Sequence, residues 1–241
     1  MSVFKRMLAV MWSICVVTGT ALATWYIVAN IDSAPETQQS EGQSSEVVEA
    51  EQTATYRVVY VPNWSEVDYP NYAPETAHVS PAVVLAHDAE SRLFTIDEVA
   101  SDGIELMAET GATEVLTREL ESRGLIKYET GVRLDPGETD EFTFEVNQQL
   151  SLLSFVSMLA PSPDWFVGLD SYELYDQDGG WVDTVEIDLV AYDAGADNGT
   201  RFLARDWDTI PAEPISEPVD GQLKEAAEVK PFAKLAIERV M

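Results

Sequence analysis

Cysteine is all but missing from this chain. Cys15 is the sole one among 241 residues, so no intrachain disulfide can form, and stability has to come from packing or from a bound ion. Positive charge is scarce as well. Fourteen Lys and Arg stand against 43 Asp and Glu, a formal charge of −29 at pH 7, which argues against a nucleic-acid partner and against adsorption to anionic lipid. The two histidines, His78 and His87, fit neither an HExxH nor a His-x-His pattern, so zinc has no support and both are read as packed or surface residues. There is no GxSxG elbow, P-loop, GxGxxG turn or catalytic cysteine, and no repeat with a period of tens of residues. Apolar residues, by contrast, make up 46% of the chain, enough to build a core and to exclude a wholly disordered protein.

The apolar residues are not evenly spread. Lys5 and Arg6 precede an uncharged run over 7–29, and Ala21-Leu22-Ala23 offers an A-x-A cleavage site inside it. Trp25-Tyr26-Ile27-Val28 prolongs the run past that site to a length that a membrane-spanning helix of about 20 residues needs. Residues 1–30 are therefore read as a signal peptide or an uncleaved signal anchor. Either places the chain beyond Asn30 outside the cytoplasm: periplasmic, at the cell surface or secreted. Residues 31–54 lack Lys and Arg and are rich in Glu, Gln and Ser, the composition of an acidic disordered linker.

Residues 55–241 read as one domain, mainly β. Tyr56-Arg57-Val58-Val59-Tyr60-Val61 is a strand pattern, and residues 82–86 are an apolar run of uncertain type. Thr95-Ile96-Asp97-Glu98 has the form of a capping box, with Ile96, Val99, Ala100, Gly103 and Met107 on one helical face. A second helix is predicted over 113–123, with Leu116 and Leu120 in register and Gly124 as its stop. Beyond Gly131 the period becomes two: Phe142, Phe144 and Val146 alternate with polar residues, as do Val185, Ile187 and Leu189, and Ala233, Leu235 and Ile237 form a last strand. Residues 152–159 are apolar on both faces and read as a central strand. Many short strands with a small helical insertion predict an antiparallel β-sandwich.

The residues that carry chemistry are acidic. Asp178-Gly179 is a two-residue hairpin signal, and Asp164 and Asp193 are equally spaced from it, so an unbulged hairpin sets them opposite each other. Asp197, beyond the pliable Gly195, can fold back to the same place. Oxygen-only ligation suits a hard cation, and Ca²⁺ tolerates the irregular shell of a loop site better than Mg²⁺. Bare carboxylates about 4 Å apart would repel by roughly 4 kcal/mol, a sign that a divalent ion reverses. Beside this stands the plainer reading that Asp is merely abundant here. The turn at Asp176-Gln177-Asp178-Gly179 resembles half an EF-hand, but Ile187 replaces the closing Glu, leaving only a turn. Trp165, Phe166, Trp181 and Trp207 are read as core, with an aromatic binding surface as the alternative.

The runs SFVSMLAPSPDWFVGLDSYELYD, GGWVDTVEIDLVAYDAGADNGTRF and DTIPAEPISEP, in that order, resemble the spondin domain family, the domain type of F-spondin and mindin. The upstream HVSPAVVLAH resembles its earlier half, so the likeness covers roughly residues 56–240. It implies a C2-like sandwich with calcium held by the Asp of PSPD and the two of DAG-x-D, here Asp164, Asp193 and Asp197. Tyr175 stands where animal members commonly have Cys, so a family disulfide is absent, and the chain looks like a bacterial-type single-domain member. The function implied is a non-enzymatic, calcium-dependent adhesion or ligand-binding module for an extracellular or envelope protein or glycan. A metal-dependent hydrolase of the envelope and a purely structural envelope protein are the alternatives.

Overall fold

Period-two patterning decides most of what the chain becomes. The computed structural model describes residues 53–65, 67–69, 75–123, 126–176, 180–217 and 230–240. The export segment and all but the end of the linker lie outside these residues. Among those described, no helix is long and apolar enough to cross a membrane. In chain order the elements are β1 (Thr53–Pro62), β2 (His78–Val79), β3 (Val83–His87), α1 (Asp102–Thr110), α2 (Glu114–Glu121), β4 (Ile126–Thr130), β5 (Asp140–Asn147) and β6 (Leu152–Ala160). Then come β7 (Trp165–Glu173), β8 (Tyr175–Asp176), β9 (Gly180–Trp181), β10 (Thr184–Leu189), β11 (Ala191–Asp193) and β12 (Ala233–Arg239).

Two antiparallel sheets face each other. The first runs β10-β12-β1-β5, the second β11-β7-β6-β3-β4 with β2 beside β6, and β8 pairs only with β9. Tyr56, Val58 and Tyr60 of β1, Phe142, Phe144 and Val146 of β5, and Leu235 and Ile237 of β12 point into the space between the sheets. There they meet Val84, Leu153, Phe155, Trp165 and Val167 of the second sheet. The alternation expected for β1, β5 and β12 is thus the inward face of one sheet.

The second sheet is covered on both sides, and its middle strand is apolar on both for that reason. Val83, Leu85, Val156, Met158 and Phe166 face away from the first sheet onto Ile104, Met107, Leu116 and Leu120 of the helix pair. The run over 82–86, uncertain from sequence, is fully buried and supplies all but the last residue of β3, which has β4 on one side and β6 on the other. The two helices pack closely because position 103 is Gly: a side chain there would collide with the Leu116 backbone.

The first helix starts later than the sequence predicts. Ser101, not Thr95, is its N-cap, accepting the Ile104 N–H at 3.3 Å, and Glu119 from α2 accepts the Gly103 N–H at 2.8 Å. A carboxylate at a helix start meets free amides and the positive end of the dipole. The capping-box reading fails because the Asp97 N–H goes to the Ile215 carbonyl and the Ile215 N–H to the Glu98 carbonyl, which withdraws those backbone groups from any helix. Ile96 and Val99, placed on the buried face by helical spacing, are exposed, whereas Gly103 and Met107 are buried as expected. The second helix lies within the predicted range and buries Leu116 and Leu120; Gly124 is outside the described residues.

The hairpin expected from Asp178-Gly179 is also redrawn. Tyr175 pairs with Trp181 and Asp176 with Gly180, which leaves a three-residue connection over 177–179 that lies outside the described residues. The return arm then changes sheet. β10 pairs with β12 in the first sheet, where Val185 and Ile187 pack against the inter-sheet core, and only β11 comes back to β7. The register there is Asp193 opposite Trp165, one residue away from the predicted pairing with Asp164.

Candidate functional site

Asp164 enters β7 from a bend and is fully buried. Its Oδ2 accepts the backbone N–H of Ala196 at 2.7 Å and that of Asp197 at 3.0 Å, while its carbonyl accepts the Ala194 N–H at 3.2 Å. One carboxylate therefore gathers the loop that follows β11. The other oxygen, Oδ1, is buried and has no hydrogen-bond partner. Buried polar atoms are rarely left so, because the desolvation cost is not recovered.

Asp193 closes β11 and exchanges two backbone hydrogen bonds with Ser216, at 2.8 and 3.0 Å, while its Oδ1 accepts the Gly195 N–H at 2.8 Å. Gly195 has φ 75°, and a side chain there would run into the Glu213 carbonyl. Only glycine fits the turn that brings Asp197 back. Asp197, also buried, accepts the Gly199 N–H at 2.6 Å on Oδ1 and the Trp207 N–H at 2.5 Å on Oδ2. A cleft of about 270 Å³ opens beside these groups, lined by Asp193, Asp197, Thr209, Glu213 and Ser216 among others.

Electrostatics follow from this crowding. Burial pushes the Asp164 carboxyl from its ordinary 3.8 to about 7, and the Asp193 charge adds to the rise; the Asp197 and Ala196 amides oppose it. Asp193 is also raised, mainly by burial, with the charges of Glu213 and Asp197 contributing. The Gly195 N–H opposes that rise by hydrogen bonding, and the neighbouring Trp165 indole N–H dipole opposes it too, although Nε1 is buried without a hydrogen bond of good geometry.

All three predicted ligands are drawn into one loop cluster, but not as a ready coordination shell. Among the described residues no three His, Cys, Asp or Glu side chains stand together as a set able to hold a metal ion. Asp164 Oδ2, Asp193 Oδ1 and both Asp197 oxygens are engaged by backbone amides, whereas Asp164 Oδ1 is buried without a partner. Sequence reasoning missed Thr209, Glu213 and Ser216 as cleft residues, although the DTIPAEPISEP run that spans them was already conspicuous.

The aromatic residues divide. Trp165, Phe166 and Trp181 are buried, Trp165 edge-on to Phe202 at 5.4 Å between ring centres, whereas Trp207 is 72% exposed. His87 is buried and His78 lies at the surface of its strand, half exposed, as packed or surface residues should.

Comparison with known proteins bears on the whole of this region. The family model described as Spondin_N matches residues 54–232. Spondin-1 of Xenopus laevis is 32% identical over 208 residues, 78% of this chain and 25% of that protein. Spondin-1 of Gallus gallus is 33% identical over 177 residues, 68% of this chain and 22% of that protein. Spondin-2 of Homo sapiens is 32% identical over 181 residues, 71% of this chain and 54% of that protein. The chain spans between about a fifth and about half the length of these curated relatives.

Proposed function

This chain belongs to the Spondin_N family, and from that premise we propose that it is an extracellular, non-enzymatic module that binds a protein or glycan and uses Ca²⁺ to fix its loops. The export-type segment over 1–30 supports a position outside the cytoplasm. Asp164, Asp193 and Asp197 hold the ion. An oxygen-only donor set suits a hard cation, and a carboxylate that already carries one amide bond keeps lone pairs for a metal. The observation that carries this reading is the buried, partnerless Oδ1 of Asp164 beside the Asp193 charge. A divalent ion there would supply the missing partner and reverse the repulsion.

A second reading has its own support. With Asp164 raised to about 7, a proton instead of a metal can neutralise the site, and the amide bonds to Oδ2 then make the cluster a staple for the loops. Thermal unfolding with Ca²⁺ and with a chelator separates the two. An ion at about a hundred times its dissociation constant stabilises by about 2.7 kcal/mol, so calcium is expected to raise the melting temperature of the parent and not that of Asp193→Asn. Identical melts of the parent with and without calcium would falsify the metal and leave the proton. The binding role is checked by retention of the full chain on immobilised extracellular matrix, expected with calcium; absence of retention in both conditions removes the module reading.

A further inference from the structure

Loop 198–210 carries opposite charges on its two sides. On one, Asp206 joins Glu109 and Asp197 around an acidic cleft. On the other, Arg201 and Arg205 line a separate cleft of about 400 Å³ with Trp207, Leu203, Asn198 and Thr200. Arg57, Arg92, Arg133 and Arg239 each form an ion pair and Arg123 donates to the Arg92 carbonyl, whereas Arg201 and Arg205, like Arg118, have no ion pair among the described residues, and only Arg201 and Arg205 share a cleft. Two unpaired guanidinium groups four positions apart are out of keeping with a chain of net charge −29. Beside them Trp207 is 72% and Leu203 69% exposed, although an indole normally gains by burial.

We propose that this cleft binds an acidic sugar unit of an extracellular polysaccharide, with the sugar carboxylate on Arg201 and Arg205 and its apolar ring face on the Trp207 indole. Guanidinium groups match carboxylates with charge-assisted, paired hydrogen bonds. An exposed indole offers a flat apolar platform for the C–H face of a sugar, and Asn198 and Thr200 bring short polar groups to its hydroxyls. Charge complementarity also selects the form of the partner. A broad anionic surface, whether a bilayer or an acidic protein, would meet the repulsion of the whole acidic molecule. A thin oligosaccharide chain enters the cleft and meets only its two cations.

This inference rests on the ligand-binding reading above and not on its metal. The probe is a galacturonate tetramer, titrated calorimetrically into the full chain in the presence of a chelator so that calcium bridging plays no part. Saturable binding that weakens with added salt is expected, and the corresponding neutral galactan should bind far less. Arg201→Gln and Trp207→Ala should each reduce affinity by about tenfold with an unchanged melting temperature, because both side chains are exposed. Absence of binding, equal affinity for the neutral tetramer, or equal affinity in the variants overturns the proposal. So does co-sedimentation of the parent, but not of the variants, with phosphatidylglycerol vesicles, which would make a lipid surface the occupant. If the parent is retained on matrix yet binds no galacturonate, the cleft is wrong and the module stands; if it binds galacturonate with no calcium effect on its melt, the cleft stands without the metal.

Discussion

His87 and Asp164 are both buried, ionisable and part of the approach to the second sheet, yet their surroundings differ in one respect. Every polar atom around His87 is met. Its Nδ1 faces the Asp88 carbonyl at 2.6 Å and is therefore the N–H nitrogen; Nε2 accepts from the Ser154 hydroxyl at 2.8 Å; and Ser154 Oγ in turn accepts the Ser171 N–H at 2.8 Å. That last bond stitches a bulge, where β7 carries an extra residue against β6 and Ser171 sits at φ 53°. Asp164 has one oxygen bonded to two amides and the other left alone among like charges. A closed network holds a fold together; an open one leaves a buried charge whose desolvation is only partly recovered.

Removing a polar atom should therefore act oppositely at the two sites. The largest effect is expected at Ser154→Ala, which orphans both the His87 ring nitrogen and the Ser171 amide and should cost about 2–4 kcal/mol in a denaturant melt. A loss within error of zero would mean that the bulge does not depend on the network.

Next comes the pH response of Asp164 in chelator. Its folded pKa, about 7, lies above the ordinary 3.8, so the folded state holds the proton more tightly and stability falls as pH rises through that interval. Asp164→Asn keeps an acceptor for the two amides and discards the charge. It should shrink the fall, leaving the smaller part that the raised Asp193 carboxyl contributes, and melt higher than the parent at pH 8. A parent whose melting temperature does not decline between pH 4 and 7 contradicts this.

The smallest effect belongs to His87. Burial lowers its pKa from 6.5, with the Asp88 carbonyl and the charges of Asp170 and Asp88 opposing and Arg92 assisting. The neutral ring is favoured in the fold, so stability is complete above pH 6.5 and declines below it. In the Asp164→Asn background the acid limb near pH 6 is easier to read, and His87→Gln should reduce it. An undiminished limb would assign it to another group.

Much of the architecture was legible because it is local. The strands β1, β5 and β12 alternate strictly, and β6 announces its double burial by carrying no charge and being apolar on both faces apart from Ser154 and Ser157. The helix start was misread because Thr95-Ile96-Asp97-Glu98 has the right letters, while its backbone is claimed by Ile215, more than a hundred residues away. The hairpin failed for a similar reason. Nothing between Trp181 and Asp193 reveals that β10 prefers β12 to β7, since Val185, Ile187 and Leu189 suit either sheet. Asp164, Asp193 and Asp197 still come together, but through amides of residues 195–197, 199 and 207, and backbone donors leave no mark in side-chain identity.

In the first sheet, β12 lies between β10 and β1, with Tyr56 opposite Arg239 and Thr184 opposite Glu238. That sheet has a gap at its centre until the segment 233–239 has been synthesised, and closing it joins the most distant parts of the domain. A growing polypeptide cannot settle into the sandwich ahead of its last strand. For the exported module proposed above, such lateness would keep the chain loose enough to be threaded across a bilayer.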